Sequence, residues 1–121
     1  MENIIYGGNS LLSSGSGSGS GSGEWSSYAV TISSGEITVT EPGLYAVSVE
    51  SGLSDELNTI NGGSNNDEII LYAADTSKTV IVKNGVGNIY IGGDFSLNNS
   101  KDILRLIKIT DWVGGGLANN V

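Results

Sequence analysis

TVIVKNGVGNIYIGGDF, residues 79–95, decides how this chain reads. Thr79, Val80, Ile81 and Val82 form a β-branched run, Lys83-Asn84-Gly85 forms a turn signal, residues 88–91 form a second apolar run, and Gly92-Gly93 breaks it before Asp94-Phe95. Asn and Gly tolerate the positive φ of tight hairpin turns, so runs bounded by Asn-Gly and Gly-Gly predict two strands joined as a hairpin. The fold class that follows is all-β.

Working outward, residues 24–51 alternate. Tyr28, Val30 and Ile32 share one face, Ile37 and Val39 continue it after Ser33-Ser34-Gly35, and Glu41-Pro42-Gly43 makes a turn. Leu44, Ala46 and Ser48 then oppose Tyr45, Val47 and Val49. This spacing predicts three short antiparallel strands. Residues 51–66 hold the one helical candidate, with Ser54 as cap and Asp55-Glu56 in the first turn, ended by Asn61-Gly62-Gly63. Strands are predicted at 68–73, 79–83, 88–91, 95–97 and 103–109. The last is apolar on nearly both faces, which suits a central strand or a subunit contact and singles out Ile103, Leu104, Leu106 and Ile107 as candidate subunit-interface residues.

The 121 residues hold one ordinary core. Five Lys and Arg stand against thirteen Asp and Glu, a formal net charge of −8. No Lys or Arg precedes Lys78, so the N-terminal part is a negative field. Nucleic acid and anionic membranes both call for clustered cations, which this chain lacks. With no Cys and no His, disulfides, the usual zinc ligand sets, thiol nucleophiles and imidazole bases are excluded together. Aromatics are 7% of residues, so strands bury small and β-branched side chains, and other subunits are expected to complete the core.

The N-terminal region divides in two. Residues 1–14 carry the apolar clusters Ile4-Ile5-Tyr6 and Leu11-Leu12, too short for a signal-peptide core or a membrane span. Residues 15–23 are a strict Gly-Ser alternation, whose default state is a flexible tether. Residues 24–113 form the domain, and GGGLANNV, residues 114–121, reads as a flexible tail.

Little in the sequence points to chemistry. Asp55-Glu56 and Asp67-Glu68 are adjacent acids rather than a pair held apart across a cleft. Asn65-Asn66-Asp67-Glu68 lacks the alternate spacing of a calcium loop. Gly85-Val86-Gly87 and Gly92-Gly93 precede no helix and read as turns rather than phosphate loops. Trp25, Tyr72, Tyr90 and Trp112 are candidates for an aromatic glycan platform, against core and interface packing. No cofactor, metal or catalytic residue is assigned, and no enzyme activity is expected.

The elements Leu57-Asn58-Thr59-Ile60-Asn61-Gly62-Gly63, Ile69-Ile70-Leu71 with Ala73-Ala74-Asp75, residues 79–89, Gly93-Asp94-Phe95-Ser96-Leu97-Asn98-Asn99 and residues 102–107 occur in this order. In them, residues 53–113 resemble a repeated β module of phage tail-fibre and other virion-appendage proteins. The sequence departs from that pattern where Thr110-Asp111-Trp112 replaces an Asp-Gly-x-Trp turn. The resemblance implies a homotrimeric structural protein on the virion surface, without chemistry of its own.

A short anchor, a spacer and one module fit a capsid decoration protein or head fibre. Ile4, Ile5, Tyr6, Leu11 and Leu12 would then dock on the major capsid protein or another virion protein. The alternative is a tail-fibre receptor-binding tip or a module for a host surface glycan. The expected architecture is a jelly-roll-like antiparallel sandwich or a related trimeric β fold, with an extended N-terminal arm.

Overall fold

A computed structural model describes residues 26–118, with the side chains of 116–118 left aside. Among the described residues there is no helix, and eleven strands follow one another. They are β1 (Ser27–Thr31), β2 (Glu36–Val39), β3 (Gly43–Ser48), β4 (Ser54–Leu57), β5 (Thr59–Gly62), β6 (Glu68–Ala73), β7 (Thr79–Val82), β8 (Ile89–Tyr90), β9 (Phe95–Leu97), β10 (Ile103–Ile109) and β11 (Asp111–Ala118). The all-β expectation holds.

The chain winds in solenoid-like coils rather than doubling back. The large sheet runs β1-β3-β6-β10-β11-β8, a second sheet pairs β2 with β5, and a third runs β4-β7-β9. β1, β3 and β6 are mutually parallel, as are β2 with β5 and β4 with β7. Successive coils therefore stack each strand on its counterpart one turn earlier. After β7 the direction changes: β9 returns antiparallel on β7, and β10 and β11 add an antiparallel hairpin to β6.

Several expectations are corrected by these pairings. The N-terminal strands are not antiparallel neighbours: β1 lies parallel to β3 while β2 sits in another sheet. β7 and β8 do not form a hairpin, since β7 pairs with β4 and β9 while β8 pairs with β11. The 54–57 segment is a strand. Asp55 accepts from the Glu50 and Glu56 N–H groups (2.8 and 2.9 Å), and burying Leu57 in the coil core outweighs one weak helical turn. Strand β11 includes Gly114 to Ala118, so the predicted tail begins inside a strand. There an ideal Cβ on Gly114 would come 2.0 Å from the Arg105 carbonyl oxygen, a close approach that only glycine permits.

Alternation within strands puts one continuous core between the sheets. Tyr45, Val47, Ile69, Leu71, Leu104, Leu106 and Trp112 enter it from the large sheet, Ile37, Val39 and Ile60 from the second, and Leu57, Val80, Val82 and Leu97 from the third. Tyr45 also closes a turn. Its hydroxyl donates to the Glu41 carbonyl (2.7 Å) and accepts from the Thr40 and Glu41 N–H groups (3.2 Å each), while its ring stacks on Tyr28 at 5.0 Å.

The C-terminal hairpin forms despite its departure from the expected turn. Thr110 takes φ 67°, and its N–H donates to Asn65 Oδ1 (3.0 Å).

Candidate interaction surface

The outer face of the large sheet is the surface most unlike a solvated one. Ile107 on β10, Val113 on β11 and Tyr90 on β8 are register neighbours across three strands, and they are 38%, 42% and 46% exposed. Ile109, 63% exposed, extends the row at the hairpin end. Half-buried Ile70, Tyr72 and Ile103 continue the outward side along β6 and β10. One ion pair, Arg105 with Glu68, sits beside Ile107 on the same face. The face thus combines contiguous apolar area with balanced local charge. Large exposed apolar patches mark contact sites more often than isolated apolar side chains do.

The same strands divide the predicted interface residues. Ile103 is half-buried and Ile107 is exposed, both on the outward side. Leu104 and Leu106 are fully buried in the chain's own core and cannot meet a partner. Alternation within one strand separates them, since successive side chains point to opposite faces. Ile109 and Val113 were not singled out in the sequence, although Ile109 shares the outward parity of Ile103 and Ile107.

The aromatic candidates scatter in the same way. Trp112 is 0% exposed, so it is unavailable to a glycan. Its ring packs against Gly63, where an ideal Cβ would come 2.8 Å from Cζ2. Lys108 Nζ lies 5.9 Å from the Trp112 ring centroid and donates to the Gly62 carbonyl at 3.0 Å. Trp112 is therefore a packing residue behind the Gly62-Gly63 turn. Tyr72 is half-buried and Tyr90 half-exposed. Trp25 lies outside the described residues, as do Ile4, Ile5, Tyr6, Leu11 and Leu12.

The polar residues that follow β7 are committed to structure. Asn88 spans to β5, accepting from Ile60 N–H (2.9 Å) and donating to Ile60 C=O (2.8 Å). Its side-chain amide thereby copies what a neighbouring strand would offer. Asn84 Oδ1 accepts from Ile91 and Gly92 N–H, and Asp94 accepts from Asn84 N–H and from Lys83 Nζ, each of these two at 2.9 Å. Those contacts, the Asn84 N–H foremost, hold Asp94 below the ordinary carboxylate value. Asp94 in turn raises Lys83.

Of the acids weighed in the sequence, Asp55 and Asp67 accept backbone N–H bonds and Glu68 pairs with Arg105. Among the described residues no three acidic side chains gather in a metal-binding group.

Compared with protein families, curated proteins and solved structures, the chain matches none.

Proposed function

We propose that this chain is a structural protein of a bacteriophage particle, a capsid decoration protein or head fibre. In this reading it is made in the host cytoplasm, acts on the virion surface and assembles as a homotrimer. The observation that carries self-association is the registered apolar row Ile107, Val113 and Tyr90, extended by Ile109, on the outer face of the large sheet. Each copy of this −8 chain repels the next, so contact is favoured where charge is balanced and apolar area is continuous.

The phage assignment draws on the resemblance of residues 53–113 to virion-appendage modules. Attachment falls to the N-terminal segment, through its apolar clusters Ile4-Ile5-Tyr6 and Leu11-Leu12.

Light scattering on a sizing column tests the assembly. The expected mass is about 37 kDa, three times the 12.4 kDa chain. The double variant Ile107→Asp/Val113→Asp should give the single-chain mass with an unchanged circular dichroism spectrum. A parent protein running as a monomer overturns self-association. For attachment, serine at Ile4, Tyr6 and Leu11 should lower occupancy in co-sedimentation with phage heads.

One observation favours a second reading as a glycan-binding module or fibre tip: Tyr90 remains accessible on the outer face of the large sheet. Loss of glycan binding in Tyr90→Ala with an unchanged oligomer mass would select it.

A further inference from the structure

The end of the coil stack at which the described chain begins is open. β1 is the outermost strand of the large sheet, and β2 has β5 alone as a neighbour, so two edges lie free side by side among the described residues. In a parallel pair one residue sends its N–H and C=O to the same neighbour, and the next residue sends both to the other side. The Ser26 carbonyl accepts from Leu44 N–H (3.0 Å) and Ile32 N–H donates to the Ser48 carbonyl (2.9 Å). The even-numbered residues of β1 therefore face β3. The peptide groups of Ser27, Ala29 and Thr31 face the free edge.

An open groove of about 370 Å³ runs between these edges, lined in part by Val30, Thr31, Glu36, Ile37 and Thr38. The core-side residues of β1 are under-covered. Tyr28 and Val30 are half-buried, whereas their register partners in β3, Tyr45 and Val47, are 1% exposed. One more coil would give this end the cover that the first coil gives the second.

The chain preceding Ser26 arrives at this same end, and its spacing repeats that of the first coil. β1 ends at Thr31 and β2 begins at Glu36, leaving four residues between them. Ile4-Ile5-Tyr6 and Leu11-Leu12 are likewise separated by four, Gly7 to Ser10. Pairings between successive coils are offset by 17 residues at Tyr28↔Tyr45, 23 at Glu36↔Thr59, 25 at Ser54↔Thr79 and 26 at Gly43↔Ile69. The offset of 25 sets Ile5 opposite Val30 and Leu12 opposite Ile37, the two apolar residues that line the groove. The Gly-Ser run then leads back to Ser26, with ample length for a return that takes β2 to β3 in three residues.

We propose that residues 3–14 of the same chain add a further coil on the free edges of β1 and β2, with Ile5 and Leu12 closing the groove. Ile4, Tyr6 and Leu11 fall on the outward side of that coil. The inference goes beyond the proposed function and needs neither the particle nor the trimer.

The protein has no cysteine, so introduced pairs report without background. In the full chain, Ile4→Cys with Ala29→Cys places the two residues opposite each other, within the Cα spacing a disulfide needs. Mild oxidation should give an intramolecular bond at least about tenfold faster than for the off-register pair Asn9→Cys with Ala29→Cys. Separately, the double variant Ile5→Asp/Leu12→Asp should speed amide exchange at Ala29 and Thr31 by about tenfold or more. The Val30 amide, bonded to β3, should change little.

Equal cross-linking of both pairs, or unchanged Ala29 and Thr31 exchange, overturns the proposal. Disulfide-linked dimers in place of the intramolecular product also overturn it, since a second copy would then hold the edge. None of these readouts depends on oligomer mass or head occupancy, so this inference and the proposed function fail separately.

Discussion

Replacing Asn88 by alanine should cost far more than the loss of a loop amide. The Asn88 side chain stands where a strand would, making bonds of 2.9 and 2.8 Å with the N–H and C=O of Ile60, a residue whose surface is fully buried. Alanine leaves both backbone groups without that partner. A buried donor or acceptor left unsatisfied costs about 1–3 kcal/mol, so two together, part-buried here, should cost about 2–4 kcal/mol. At roughly 4–8 °C per kcal/mol for a domain of this size, the melting temperature should fall by at least about 8 °C.

Asn88→Asp sharpens the test. The carboxylate still accepts from Ile60 N–H but presents a second oxygen to Ile60 C=O, so at neutral pH it should be at least as unstable as the alanine variant. Protonation supplies the missing donor, and the deficit relative to the parent should narrow below about pH 4. Differential scanning calorimetry at pH 7 and at pH 3.5 measures both effects, and amide exchange at Ile60 localises them. An alanine variant melting within about 2 °C of the parent would refute the assignment of Asn88 as a strand substitute.

Tyr45→Phe keeps the buried ring and removes only the hydroxyl that holds Thr40 and Glu41. It should lower stability by about 1–3 kcal/mol in urea denaturation with an unchanged m-value. Gly63→Ala forces a side chain onto a backbone with φ 78°, against the buried Trp112 ring. A loss of about 2–4 kcal/mol and an altered near-UV circular dichroism band are expected, combining left-handed strain with overpacking.

Asp94 and Asp75 both have carboxyls held below the ordinary value, Asp94 chiefly by the Asn84 N–H and Asp75 chiefly by the Ser77 hydroxyl. A carboxyl lowered by folding contributes stability that is present above its unfolded value, near 4, and is lost as pH falls through the lower folded value. Urea midpoints measured from pH 5 down to pH 2 should therefore fall less steeply for Asp94→Asn than for the parent.

Much of the secondary structure is legible in the sequence. The runs at residues 68–73, 95–97 and 103–109 are strands with those bounds, because β-branched and aromatic alternation bounded by Gly and Asn is a local property of the chain. The sequence by itself also determined that a small core must be assembled from Ile, Leu and Val with few large aromatics, and that no imidazole or thiol chemistry is possible.

What only the tertiary structure decided is which strand lies beside which. Period-two alternation states that Leu104 and Ile107 face opposite ways, yet both faces of β10 are apolar, so nothing local says which one is the core. Parallel pairing joins Tyr28 to Tyr45 and Ser54 to Thr79, contacts 17 and 25 residues apart that no turn signal records. Asn84-Gly85 marks a reversal in either arrangement, but there the chain turns into a new coil instead of returning along β7. Asn88 reads as the first residue of a strand until Ile60 is beside it, and Trp112 as either a platform or a packing residue until Gly63 closes over it. The physical reason is the same in each case. Local sequence sets what a strand can bury, while the choice of neighbour depends on summed contacts between segments that meet only when the coils have stacked.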